Sequence, residues 1–131
     1  MRKIKFRAWN KYRKCWIYPL SFTDNTDGIL SIANMDIGAF ILMQYTGRKD
    51  VNDDEIYEGD IVEVNERIGC IEWVEELARW QIFFKGDNVG DALGEYWQHM
   101  KPKKIGNVYQ NAELLSDTLT ITADGSVKYK R

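Results

Sequence analysis

Strict alternation opens the chain. Ile4, Phe6 and Ala8 alternate with Lys3, Lys5 and Arg7, the period of a half-buried strand with an apolar face turned inward and a basic face in solvent. The polar run NKYRK follows, ending that strand at Asn10, and the aromatic stretch CWIY predicts its hairpin partner, stopped at Pro19. Turn chemistry over residues 24–28 precedes a short β-prone piece over 28–32. Residues 37–45 form a continuous apolar run of strand length, broken by Gly47. A further strand is predicted over 61–64, and GCIEWVEELARWQIFFK reads as a hairpin with strands over 70–74 and 79–84, across which Trp73 and Trp80 pair. GDNVGDALGEYWQHM predicts a loop with one helical turn. Residues 104–109 restore a strand, NAELL forms a short helix capped by Asn111, and TLTITADGSVKYK alternates on both sides of Asp124-Gly125 as a hairpin.

Many short strands with little helix predict a mainly β protein, a small sandwich or barrel. Gly59 and Asp60 lead into a strand that is followed by a second hairpin, an order similar to SH3-like barrels. The expected architecture is a small barrel-like, SH3-like lobe over about residues 43–110, joined to an N-terminal β-hairpin lobe over about residues 1–42. Gly47 and Gly59 would supply the positive φ or the bulge that such a chain needs as it turns.

Composition narrows the class. With 44% hydrophobic and 29% charged residues, the chain is an ordinary globular one, not a disordered tail. Five Trp, seven Tyr and five Phe supply a core that needs no staples. Cys15 and Cys70 lack a CxxC spacing, and with His99 as the single histidine they cannot complete a four-ligand zinc set; a reduced pair is expected. The basic N-terminus leads into no apolar h-region, and no run approaches the roughly 18 apolar residues of a membrane span, which predicts a cytoplasmic protein with no membrane partner.

Charge distribution is the sharpest electrostatic feature. The net charge is only −2, yet residues 1–18 carry seven Lys/Arg and no acid, while residues 48–66 carry eight acids. Opposite potentials of this kind either neutralise one another, within the chain or across subunits, or steer an interface with a partner.

Three blocks, IKFRAWN, MQYTGRKDVNDDEIYEGDIVEV and IGNVYQNAELL, resemble those of the YopX family, small proteins encoded mostly by bacteriophages and prophages. The resemblance spans about residues 1–115, and QYTG followed at that spacing by EIYEGDIV is its specific part. It implies one mostly β domain over 1–115 (lobes about 1–42 and 43–115), with Gln44, Tyr45, Gly47, Tyr57, Gly59 and Asp60 as its structural motif. It implies no established biochemical activity. The family turn usually contains Asn-Gly where this chain has Asn52-Asp53-Asp54, and the hairpin over 116–131 is an extension beyond the family pattern, for which strand exchange between subunits is one role.

Candidate chemistry is thin. Asp50, Asn52 and Asp54 fit positions one, three and five of a calcium loop, but position six is Glu55 in place of Gly and position twelve is Ile61 in place of Glu. A solvated acidic turn is the better account. No nucleophile signature surrounds Cys15, Cys70 or His99, and the glycines at 86, 90 and 94 precede no Lys-Ser/Thr pair. The expectation is a non-enzymatic protein without catalytic residues, metal or cofactor. Two binding roles remain. The leading one is a self-associating accessory module, a homo-oligomer that binds an unidentified host or phage protein. The alternative is nucleic-acid binding. Both rest on the basic aromatic set Lys3, Lys5, Arg7, Trp9, Arg13 and Trp16, with Lys11, Tyr12 and Lys14 adjacent and Lys101, Lys103 and Lys104 as an extension.

Overall fold

A computed structural model describes residues 4–21, 40–86, 90–98, 100–115, 119–121 and 127–129, with side chains over 4–16, 40–86, 90–96 and 100–115. The predicted elements over 24–28 and 28–32, together with Lys3, His99 and the Asp124-Gly125 turn, lie outside them.

The protein is mainly β. One antiparallel sheet has the order β2-β1-β3-β4, built from β1 (Lys5–Asn10), β2 (Cys15–Ser21), β3 (Phe40–Lys49) and β4 (Glu55–Tyr57). A second, curled into a half-barrel, has the order β8-β7-β6-β5-β9, from β5 (Asp60–Val64), β6 (Arg67–Val74), β7 (Arg79–Phe84), β8 (Asp91–Ala92) and β9 (Lys103–Asn107). The C-terminal strands β10 (Leu119–Ile121) and β11 (Val127–Tyr129) pair with each other, as the alternation predicts. Helix among the described residues is confined to 3-10 turns at Glu75–Leu77, Leu93–Gln98 and Ala112–Leu115, none of which is long enough to cross a membrane.

β5 is the spine of the core because both of its faces are covered. Val62 and Val64 pack with Ile56, Ile71, Ile82, Phe84 and Leu93 on one side, while Ile61 packs with Cys70, Val108 and Leu115 on the other. Both cysteines are free thiols, Cys15 exposed and Cys70 buried in that second cluster.

Several sequence expectations are corrected. β2 is not stopped at Pro19 but continues to Ser21 as the edge strand of its sheet. An edge tolerates the missing N–H, and the register shifts between Phe6 and Ala8, where Tyr18 and Pro19 form a bulge opposite Arg7. Gly47 does not break β3 either. At φ 86 it sits in a bulge where Thr46, Gly47 and Arg48 stand opposite Ile56 alone, and the strand runs on to Lys49. Asn111 does not cap the last 3-10 turn through its side chain; its Oδ1 accepts the Asn107 N–H at 3.1 Å. β9 accordingly ends at Asn107 instead of Tyr109.

The largest revision concerns β1. Its basic face is not solvated: Arg7 is 1% exposed and Trp9 is buried, while on the apolar face Ala8 is buried as expected and Ile4, just before the strand, stands 49% exposed. Burying a guanidinium requires a matched partner, and the acidic segment supplies it.

Gly59 makes the step from one sheet to the other. Its φ is 83, its N–H donates to Ile71 O and its carbonyl accepts from Val108 N, each at 2.9 Å. A Cβ there would stand 3.1 Å from Met43 Sδ and 3.4 Å from Val108 Cγ2. Gly59→Ala should therefore lower stability by about 1–3 kcal/mol through backbone strain and crowding, read by urea unfolding. Gly47→Ala has the same φ penalty but meets nothing within 4 Å, so its loss should be the smaller of the two.

Candidate functional site

The motif EIYEGD forms a corner between the sheets. Tyr57 closes β4, Asp60 opens β5, and the Tyr57 N–H donates back to Asp60 Oδ2 at 2.7 Å. Glu58 is tied by its own N–H to Gln44 O at 2.9 Å. The fully buried Asp60 carboxylate thus points towards the first sheet, where β1 delivers Arg7: Nη2 lies 2.8 Å from Asp60 Oδ1 and donates to Glu58 O at 3.1 Å. The guanidinium lies over the Trp16 ring at 4.2 Å and the Tyr57 ring at 4.9 Å, a geometry in which ring quadrupoles stabilise the cation. Lys104 of β9 completes the group, 3.3 Å from Asp60 Oδ2 and donating to Glu55 O at 3.1 Å.

The flanking rings extend this joint. Trp9 stacks on Tyr109 at 5.9 Å and meets Trp16 at 4.7 Å, while Trp16 Nε1 donates to Gln110 Oε1 at 3.0 Å. The block IGNVYQN makes the receiving surface: Asn107 Oδ1 accepts the N–H groups of Tyr109 and Gln110, folding the turn that presents Tyr109. At the other end Lys5 pairs with Glu55 and lies over the Tyr45 ring at 5.3 Å, which itself meets the Tyr57 ring at 5.5 Å.

Of the residues singled out from sequence, Lys5, Arg7, Trp9 and Trp16 are therefore brought together with Gln44, Tyr45, Tyr57, Gly59 and Asp60 in one intramolecular joint. Arg13 is not part of it and is exposed in the β1–β2 turn beside Lys14.

Burial dominates the acid chemistry here. It pushes the Glu58 carboxyl above its ordinary 4.5, against the hydrogen bond the carboxylate accepts from the Gln44 backbone and the pull of Arg7. Burial likewise pushes Asp60 up, opposed by Arg7, Lys104 and the Tyr57 N–H. For Glu58, the folded protein holds a proton that the unfolded chain has released, so its contribution to stability is complete below about 4.5 and is lost as pH rises through the raised value. The native chain should gain melting temperature on going from about pH 7 to about pH 5, and Glu58→Gln should flatten that gain. An unchanged slope would contradict the assignment.

The acidic turn is held by Asp50, only 1% exposed. Its Oδ1 accepts the N–H groups of Asn52 at 2.8 Å and Asp54 at 2.9 Å, and its Oδ2 accepts the Lys104 N–H at 2.9 Å. Both oxygens are occupied by the backbone, so the first position of the calcium-like spacing serves the turn. Among the described residues no group of three or more His, Cys, Asp or Glu is placed to hold a metal.

A cleft on the half-barrel was not legible in sequence. Trp73 and Trp80, paired as predicted with ring centroids 5.2 Å apart, form one wall. Thr46 and Arg48 from the β3 bulge and Leu93 and Gly94 from a distant 3-10 turn face it, with Ala78, Arg79 and Ala92 completing the lining. Tyr96 pins that turn: its hydroxyl donates to Asp91 at 2.6 Å, and burial with this bond pushes its pKa to about 12.

The sequence model of the YopX protein family matches residues 5–116. The fold is similar to that in the crystal structure of protein EF1440 from Enterococcus faecalis, with a TM-score of 0.56 and 25% identity, over 86% of this chain and 97% of that one. No curated protein matches the chain.

Proposed function

The chain belongs to the YopX family, and we propose that it is a non-enzymatic phage or prophage accessory protein, acting in the cytoplasm of the bacterial host as a self-associating module that binds another protein. The observation that supports a protein partner over nucleic acid is the internal matching of the β1 cations. A strand that grips phosphates keeps its cations in solvent, because affinity comes from neutralising phosphates and releasing counterions. Arg7 is instead buried against Asp60, and Lys5 pairs with Glu55. The chain carries a net charge of −2, and its surface includes exposed apolar side chains such as Tyr12, Leu77 and Met100, the mixture on which protein interfaces draw.

Light scattering over a micromolar concentration series, beside anisotropy of labelled DNA and RNA in a salt series, tests this. The expected results are a mass that rises with concentration and no nucleic-acid affinity at low salt. A monomeric mass throughout removes the homo-oligomer, and nucleic-acid affinity that falls steeply with salt reverses the choice of partner.

That second role has one observation in its favour: the β1–β2 turn exposes Tyr12 together with Arg13 and Lys14, a ring and cations at one tip. Reversing charge at Arg13 and Lys14 lowers nucleic-acid affinity only if the tip is the binding element.

A further inference from the structure

The C-terminal hairpin stands apart from both larger sheets. β10 and β11 form a two-stranded sheet of their own, with no ladder to a third strand among the described residues. Each strand has three residues, and an isolated two-stranded hairpin is marginal in water until further strands or a packed face support it. The hairpin also lies beyond residue 116, where the family match ends, and neither larger sheet draws a strand from it.

Its register makes it two-faced. Leu119 is opposite Tyr129 and Ile121 opposite Val127, while Thr120 is opposite Lys128. Antiparallel partners share a face and successive residues alternate, so four apolar positions fall on one face and Thr120 and Lys128 on the other. The two edges differ as well. TLTITA, residues 118–123, is uncharged, β-prone and without Pro, the composition of an edge that accepts another strand. β11 carries Lys128 and runs into Lys130 and Arg131, and lysine on an edge discourages pairing.

The remaining edges are less suited to such an addition. β2 carries Pro19 and an irregular register, and β8 is two residues long. The Glu55 carbonyl of β4 accepts from Lys104, and in β9 the N–H groups of Lys104 and Asn107 donate to the side chains of Asp50 and Asn111.

We propose that β10 pairs antiparallel with β10 of a second copy, Thr120 lying opposite the partner's Thr120. The assignment rests on the self-association proposed above and names its interface. Parity restricts the register: a shift by one residue sets the apolar face of one hairpin beside the polar face of the other. Centring on Thr120 opposes all three residues of both strands. Pairing β10 with itself closes under a two-fold axis as a four-stranded sheet with the cationic β11 at each edge, whereas pairing β10 with β11 of the next copy propagates without end.

The test is disulfide cross-linking of the full chain in a Cys15→Ser background, which removes the exposed thiol and leaves Cys70 buried. Directly opposed antiparallel residues lie about 4.5–5.5 Å apart at Cα, within the roughly 4.4–6.8 Å span of a disulfide. With oxidised glutathione at micromolar protein, Thr120→Cys is expected to form a covalent dimer at least about tenfold faster than Lys128→Cys, because pairing raises the effective thiol concentration. A second variant, Thr120→Glu, places opposite charges across its own hairpin at Lys128 but like charges across the two-fold axis. Light scattering should show it assembling only at about tenfold higher concentration than the native chain. Equal cross-linking of Thr120→Cys and Lys128→Cys, or native-like assembly of Thr120→Glu, overturns the β10 pairing alone if the native mass still rises with concentration. A mixture of the two cysteine variants that cross-links faster than Thr120→Cys by itself overturns the closed pairing. A native chain that is monomeric throughout overturns the pairing and the self-association role together.

Discussion

Replacing Arg7 by methionine is expected to cost about 3–5 kcal/mol of stability, read as a lower urea midpoint, because it leaves the Asp60 carboxylate buried without its main partner. Methionine approximates the length of the arginine stem, so the loss reports charge more than volume. Lys104, 3.3 Å from Asp60, offsets part of the penalty and places the expected value towards the lower end. Lys5→Ala gives the contrast. The Lys5–Glu55 pair is about a quarter exposed at both ends, and such pairs contribute about 0–1 kcal/mol. The double variant Arg7→Met, Asp60→Leu should recover part of the loss, since an apolar pair can replace a buried ion pair, but not all of it, because the Tyr57 N–H would lose its acceptor. An Arg7→Met loss below about 1 kcal/mol would mean that the joint is not what holds the two sheets together.

Asp50→Ala is expected to cost about 2–4 kcal/mol, from three backbone donors deprived of an acceptor at about 1–3 kcal/mol for each one that stays buried. Asn52 and Asp54 lie in an exposed turn, so water partly replaces what they lose. Lys104 is half-buried and recovers less. Hydrogen exchange should accordingly show the Lys104 amide losing the most protection, with the Val51 N–H that reaches Pro102 O at 3.0 Å following it. Asp50→Asn separates the two halves of the effect. It retains an oxygen for Asn52 and Asp54 but turns an amide donor towards Lys104, and about half of the alanine loss should remain. Equal protection of all these amides in Asp50→Ala and the native chain would dismiss the capping role.

The strand pattern was legible where alternation and turn chemistry agree. The hairpin β6–β7 and its Trp73–Trp80 pair follow from spacing alone, because opposed residues in an antiparallel pair face the same side. Pro19 and Gly47 misled for a common reason. A residue that would break a central, regular strand is accommodated at an edge or in a bulge, and neither position in the sheet is visible along the chain. The cleft was hidden for a third reason: Arg48 and Gly94 are separated in sequence by β5 to β8 and meet only when the sheet curls.

What the sequence by itself determined is the β class, the order of most strands and the unequal distribution of charge, each a local property of period, composition and turn residues. It also contained both members of the Lys5–Glu55 and Arg7–Asp60 pairs, in an N-terminal block of cations and a central block of acids. Only the tertiary structure decided that these blocks meet inside one chain, and that the basic face of β1 is buried along with Ala8 of its apolar face. Alternation shows that a strand has two faces but not whether one or both are covered. A carboxylate fixed at the corner between two sheets makes it favourable to bury the arginine.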